Sequence, residues 1–293
     1  MAPAQLGQSG PTFRAGVDVV SVDVTVTDSQ RSYITDLAPS DFTIFEDGRP
    51  QELRLVQQVG VPLAVALLVD TSASMQESLP LAKEAAGEFV GALRNEDVAA
   101  VIDFDSRVDL AQPFTGERAL LRAAIGRMTA GGATALHNAL YIAIRELQKG
   151  SALGDGGATR RRAIVVLSDG EDTSSLMTFD EVLDTAVRSG ITVYAIGLGV
   201  GANASTATDS GRMGQFNLRR VTQQTGGQAF FPKIAAELRP VYRAVLDELS
   251  SQYTLAYESN DPRRTGQYRR IAVRVSRPGA VARSRPGYYA PSR

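Results

Sequence analysis

The sequence contains no cysteine and a single histidine, His137. The first absence excludes disulfides, thiolate zinc sites and a cysteine nucleophile, while leaving the redox compartment open, because many secreted proteins also lack cysteine. An excess of charge is missing as well, with 31 Lys and Arg against 32 Asp and Glu. Electrostatic capture of nucleic acid or of an anionic membrane is therefore not expected. No apolar run of about 18 residues occurs, so no transmembrane helix is expected. The opening MAPAQLGQSGPTFRAG is small and polar and has no apolar stretch of the signal-peptide kind. It reads either as a cytosolic start or as a linker left after a removed signal. The second reading places the protein outside the cytoplasm: secreted, periplasmic or surface-associated.

What is present is enough to build a large core: 293 residues, 43% of them hydrophobic. Gly16 to Thr27 alternates polar and apolar residues, the period of a half-buried strand. A second strand is expected at Phe42 to Gly48 and a third at Glu52 to Val56, with Glu46-Asp47-Gly48 favouring a hairpin between them. The texture changes at Val61. Val61 to Val69 is almost continuously apolar, as a parallel strand covered on both faces must be. Similar strands are expected at Val98 to Phe104, Ala163 to Leu167 and Ile191 to Ile196. Helical spacing lies between them, at Leu79 to Leu93, Glu117 to Met128, Ala135 to Leu147 and Phe179 to Ser189. This alternation predicts an α/β fold: a Rossmann-like, doubly wound, mostly parallel sheet, with Val108 to Phe114 as an antiparallel edge strand. Further helices are expected at Phe216 to Thr225 and Ala235 to Ser251. β texture returns at Tyr253 to Glu258 and Tyr268 to Arg277. The expected organisation is a linker at 1–12, a β segment at 13–60, an α/β domain at 61–251, and a β segment at 252–293 that pairs with the first into a smaller β-sandwich-like module.

The chemistry concentrates at the end of the first core strand, where Asp70-Thr71-Ser72-Ala73-Ser74 precedes a helix. Ligands collect at the carboxyl ends of strands in open α/β sheets. Asp70, Ser72 and Ser74 offer three oxygens to one point. Gly131-Gly132-Ala133-Thr134 and Leu167-Ser168-Asp169-Gly170 lie at the same rim and add Thr134 and Asp169. Hard oxygen donors suit Mg²⁺, with Mn²⁺ or Ca²⁺ as alternatives, and the absence of His and Cys at these positions argues against zinc. Taken alone, the pentapeptide also reads as a helix N-cap, because Asp and Ser are favoured there. Thr134 and Asp169 in rim positions tip the reading toward a metal.

These five residues resemble the adhesion site of the von Willebrand factor type A family, a DxSxS motif followed by a Thr and then an Asp, and the likeness runs over Val61 to Ser251. The resemblance implies coordination through the hydroxyls of Ser72, Ser74 and Thr134, and through the carboxylates of Asp70 and Asp169 directly or by way of water. It also implies a function: cation-dependent binding of a protein partner that presents an Asp or Glu, in adhesion or complex assembly. Two carboxylates and three neutral hydroxyls leave a cation electrophilic enough to take that outside oxygen. The flanks, through Asp41-Phe42, Glu46-Asp47-Gly48 and Arg285-Pro286-Gly287-Tyr288, are similar to those of bacterial proteins related to this family. Two other functions compete. One is a metal-dependent hydrolase or phosphoryl-transfer enzyme using the same rim; it needs a nucleophile or base, and Ser72 stands where aspartate-nucleophile phosphatases carry a second Asp. The other is an assembly component whose metal only stabilises the fold.

The remaining signals are expected to be structural. His137 lies one helical turn beyond Thr134 and reads as a satisfied histidine rather than a ligand. Glu171 and Asp172 read as a solvated acidic loop. Gly197-Leu198-Gly199-Val200-Gly201 lacks the second half of a dinucleotide fingerprint, and Gly199 to Gly214 reads as a flexible insertion. Arg263, Arg264, Arg269, Arg270, Arg274, Arg277, Arg283 and Arg285 alternate with apolar residues as the solvated face of a strand, without an aromatic stacking platform for nucleic acid.

Overall fold

Leu63–Asp70 (β5) has every residue buried, and the reason lies in its place at the middle of the sheet. The computed structural model describes residues 19–58, 61–149, 160–198 and 209–292. Six strands form the central sheet: β5, Val98–Phe104 (β6), Val108–Thr115 (β7), Arg161–Ser168 (β8), Thr192–Gly197 (β9) and the short Ala229–Phe230 (β10). Their order is β10-β9-β8-β5-β6-β7, all parallel except the antiparallel edge strand β7. Alternate residues of β5 point to opposite faces. Leu63, Val65, Leu67 and Val69 pack with helices Leu79–Ala92 (α1), Arg118–Arg127 (α2) and Leu238–Ser251 (α6). Ala64, Ala66 and Leu68 pack with Leu136–Gln148 (α3), Phe179–Ser189 (α4) and Asp209–Thr225 (α5). From β5 the chain first builds outward to β6 and β7, then returns to lay β8 on the other side of β5. The winding direction therefore reverses between β5 and β8, which opens a crevice at their carboxyl ends.

The flanks form two four-stranded antiparallel sheets. Val19–Thr27 (β1), Leu53–Gln57 (β4), Tyr253–Glu258 (β11) and Val281–Arg283 (β13) make one, in the order β13-β1-β11-β4. Phe42–Glu46 (β2), Arg49–Gln51 (β3), Tyr268–Val275 (β12) and Gly287–Tyr289 (β14) make the other, in the order β14-β12-β2-β3. One apolar cluster joins them, with Val22, Val24, Tyr253 and Leu255 from the first sheet meeting Phe42, Ile44 and Ile271 from the second. Buried Glu46 lies in this module and accepts from Tyr257 Oη (2.8 Å), Ser259 Oγ (2.6 Å), Tyr288 Oη (2.9 Å) and Arg269 Nη1 (3.1 Å). A second buried acid, Glu248 of α6, ties the two bodies together. It accepts from Tyr194 Oη of β9 at 2.6 Å, from Thr25 Oγ1 of β1 at 3.3 Å, and from Arg283 of β13.

Four sequence expectations change here. The Asp47-Gly48 turn, with both φ values positive, does make a hairpin, but its second arm is β3. The strand expected at Glu52 to Val56 crosses to the other sheet, where it pairs with β11. The helix expected at Phe216 begins at Asp209, because Gly211 and Gly214 face inward instead of marking a loop. Residues 199–208 of the expected insertion lie outside the described residues. The eight C-terminal arginines do not share a solvated face. Arg269 falls on the inward phase of β12 and is buried against Glu46, while Arg283 and Arg285 are half-buried at the junction with the core. Finally, β10, β13 and β14 are too short to leave a period in the sequence.

Candidate metal centre

Asp70 is the last residue of β5, and Ser168 and Asp169 stand at the end of β8, so both carboxylates face the crevice where the winding reverses. After Asp70 the chain turns over Ser72 into a short 3₁₀ turn, Ala73–Met75, and then enters α1. Asp70 Oδ1 accepts from the Ser72 backbone N–H at 2.9 Å, which folds the turn back onto the carboxylate. Ser72 Oγ and Ser74 Oγ lie 3.0 Å apart, and Ser74 Oγ donates to Asp169 Oδ2 at 2.6 Å. Four of the five expected residues therefore form one continuous chain of hydrogen bonds.

Thr134 joins by a different route. Gly132, at φ +74°, makes the turn before it, and two backbone bonds pin this loop to the first: Ala73 N to Gly132 O at 3.1 Å and Gly131 N to Thr71 O at 2.8 Å. Its other side is tied to the loop after β8, where Thr134 N donates to Thr173 Oγ1 (3.0 Å) and Thr134 O accepts from Thr173 N (2.9 Å). Among the described residues, its buried hydroxyl makes no hydrogen bond to the other four. The three loops are thus pinned to one another mainly through their backbone groups.

Burial pushes the Asp70 carboxyl up to about 6; hydrogen bonds from Ser168 and Ser72 oppose the rise, and the charge of Asp169 adds to it. A buried carboxylate of this kind gains from a nearby cation. The donor set also explains why no group of three or more His, Cys, Asp and Glu suited to a metal occurs among the described residues. Three of the five candidate donors are hydroxyls. Two carboxylates and three hydroxyls suit a hard divalent ion, and short contacts bring Asp70, Ser72, Ser74 and Asp169, four of the five, together.

Several residues that hold this centre carried no signal in the sequence. Ser168 Oγ donates to Asp70 Oδ2 at 2.6 Å and accepts from Gly170 N at 3.0 Å. Thr71 Oγ1 donates to Asp103 Oδ1 at 2.5 Å, fixing the turn to β6. Asp172, expected in a solvated loop, accepts from the His137 backbone N–H at 2.8 Å and from Ser175 Oγ at 2.6 Å, while Ser175 Oγ accepts from the Asn138 N–H at 3.1 Å, so the pair serves two N–H groups in the first turn of α3. His137 Nδ1 lies 3.1 Å from the Met177 carbonyl, which can only accept, so Nδ1 carries the proton. Gly214 packs so close to Gly170 that a Cβ there would sit 2.2 Å from the Gly170 oxygen. Two glycines therefore set the approach of α5 to the rim.

Residues 65–171 match the family model described as von Willebrand factor type A domain. A UPF0353 protein of Mycobacterium ulcerans is 23% identical over 233 residues, covering 74% of this chain and 67% of its own length. The chain thus spans about two thirds of such mycobacterial relatives. Among solved structures, a von Willebrand factor type A protein from Catenulispora acidiphila superposes with a TM-score of 0.54 at 14% identity, over 95% of this chain and 76% of that one. Proximal thread matrix protein 1 from the mussel byssus, solved with a zinc-occupied MIDAS motif, gives 0.53 at 20% identity over 65% of this chain and 48% of its own. The fold is accordingly that of a von Willebrand factor type A domain, with additional antiparallel sheets.

Proposed function

Proceeding from a chain that carries a von Willebrand factor type A domain, we propose that Asp70, Ser72, Ser74, Thr134 and Asp169 hold a divalent cation, Mg²⁺ first, and that this centre binds an acidic residue of a protein partner. The observation that carries the reading is the hydrogen-bonded chain from Asp70 through Ser72 and Ser74 to Asp169, built across two strand ends. A bound divalent ion would supply a positive charge with room for an outside oxygen ligand. Ser168 and the Ser72 N–H orient Asp70, while the backbone bonds of Thr134 hold the third loop in place. Zinc belongs in the panel with Mn²⁺ and Ca²⁺, since the mussel protein accepts it.

A binding role is favoured over catalysis because two carboxylates and three neutral hydroxyls would leave a bound cation open to an outside oxygen ligand, while the His137 ring lies outside the hydrogen-bonded chain and turns Nδ1 to the Met177 carbonyl. An extracytoplasmic setting belongs to the same proposal. Among the described residues, no helix is long and apolar enough to cross a membrane. The test is calorimetric titration of the protein and of Asp70→Ala with Mg²⁺, followed by capture of partners from the source organism with and without EDTA. Saturable binding lost in the variant, and partners released by EDTA, are expected. Equal metal binding by both proteins overturns the proposal.

A further inference from the structure

At the opposite end of the central sheet, the junction with the flanking module encloses a cleft of about 710 Å³. Its charge is one-sided. Arg160, Arg161, Arg162, Arg188 and Arg285 line it, and Asp23 is the one carboxylate among the described lining residues. Asp23 already accepts from Thr254 Oγ1 at 2.8 Å, and Arg188 is committed to Asp184 at 2.7 Å.

Three of the other guanidinium groups, those of Arg161, Arg162 and Arg285, are less well compensated. Among the described residues Arg161 reaches only neutral acceptors, Gln252 Oε1 at 3.3 Å and the Leu249 carbonyl at 2.7 Å, and its buried Nε meets no partner. Arg285 gives Nη2 to the Ser21 carbonyl at 2.8 Å, and its buried Nε likewise meets no partner among the described residues. The half-buried Arg162 side chain makes no hydrogen bond or ion pair with a described residue. Desolvation pulls all three below the ordinary arginine range, with Asp23 opposing it. A guanidinium keeps its proton, so the cost of burying it falls on whatever can neutralise it. Elsewhere the chain does provide such partners: Arg269 meets Glu46 and Arg283 meets Glu248.

We propose that this cleft binds a small phosphate-bearing organic anion, its phosphate held by Arg161, Arg162 and Arg285. Planar guanidinium donors match phosphate oxygens in pairs, and several positive charges around one cleft call for more than one negative charge. The volume exceeds what a bare phosphate fills and lies in the range of small-ligand sites. Tyr288, Leu55 and Ala256 supply surface for the organic part. The site is independent of the cation centre.

Calorimetric titration of the full chain with pyrophosphate, at fixed ionic strength, tests the proposal against R162Q and R220Q. Arg162 supports no other side chain, so R162Q should keep the parent melting temperature; Arg220 lies on α5, outside the lining. Saturable one-site binding is expected, weakened about tenfold or more in R162Q and unchanged in R220Q. Heats no larger than those of sodium chloride, or equal affinity in R162Q, would overturn the site. Phenyl phosphate should bind more tightly than inorganic phosphate, and equal affinities would remove the organic part of the proposal.

Discussion

Ser74 and Asp169 are 95 residues apart in sequence, and the hydroxyl of the first donates to the carboxylate of the second across 2.6 Å. One belongs to the turn after β5 and the other to the end of β8, so the contact exists only when these strands are paired. Removing the hydroxyl takes one hard oxygen from the proposed cation centre without creating a cavity. Ser74→Ala is therefore expected to weaken Mg²⁺ binding by about tenfold, roughly 1.4 kcal/mol, while leaving the metal-free melting temperature within error. Calorimetry and thermal melts on the same preparation check both halves.

Ser168 is a different case, because it touches Asp70 from inside the protein. Ser168→Ala leaves a buried carboxylate oxygen without its donor, which costs about 1–3 kcal/mol of stability. Chemical denaturation should show that loss in the metal-free state. A much smaller loss would mean that water replaces the hydroxyl.

The pH dependence follows from Asp70, held at about 6 by burial against an unfolded value near 3.9. The folded protein binds the proton more tightly than the unfolded chain does. Its contribution to stability is therefore full below pH 4, declines as pH rises, and above pH 6 has fallen by roughly 3 kcal/mol. A cation would take the proton's place, so the stabilisation produced by Mg²⁺ should grow over the same interval. Melting curves from pH 4 to 7 with and without Mg²⁺, compared with Asp70→Asn, isolate this group. A variant whose curves parallel those of the parent would contradict it.

Gly214→Ala would put a methyl 2.2 Å from the Gly170 oxygen and 2.5 Å from its carbonyl carbon, both of them backbone atoms. Relief requires α5 to move away from the rim, at a cost of about 1–3 kcal/mol. Because Gly170 follows Asp169 directly, the variant should lose metal affinity as well as stability. Loss of stability alone would separate α5 from the centre.

In the sandwich, Glu46→Ala leaves the buried Arg269 guanidinium with only the Asp261 carboxylate, at 3.7 Å, and should cost about 3 kcal/mol. The double change Glu46→Leu with Arg269→Met removes both charges and should recover part of that loss. A double mutant as unstable as the single would show that Tyr257, Ser259 and Tyr288, which also bind Glu46, carry the effect.

What could be read in advance followed the strength of each repeating pattern. β5 and α4 announce themselves, one by unbroken apolar composition and the other by the Thr178 and Glu181 capping box with Gly190 at its end. The five candidate ligands are legible because Asp70 and Asp169 stand at the ends of apolar strands and, with Ser72, Ser74 and Thr134, follow the order of the motif they resemble. Ser168 was not, since a serine beside an aspartate is commonplace until the register of β8 against β5 aims it at Asp70. Arg269 reads as solvated from its residue type although it shares the phase of Ile271, and its pairing with Tyr288 on β14 shows that it points inward. The start of α5 was hidden by its glycines, which mark a close approach between backbones rather than a break.

The sheet order of the flanks bears on how the chain folds. β1 has no neighbour until β11 exists, and β2 meets β12 only across more than two hundred residues, as between Glu46 and Arg269, 223 positions apart. The α/β body closes through nearer partners and can form first. In the interval Val20, Val22, Val24 and Val26 line one side of an unpaired strand, an adhesive edge that a chaperone or a neighbouring chain could seize. Yield in refolding should therefore depend on protein concentration, with the sandwich as the step that sets it.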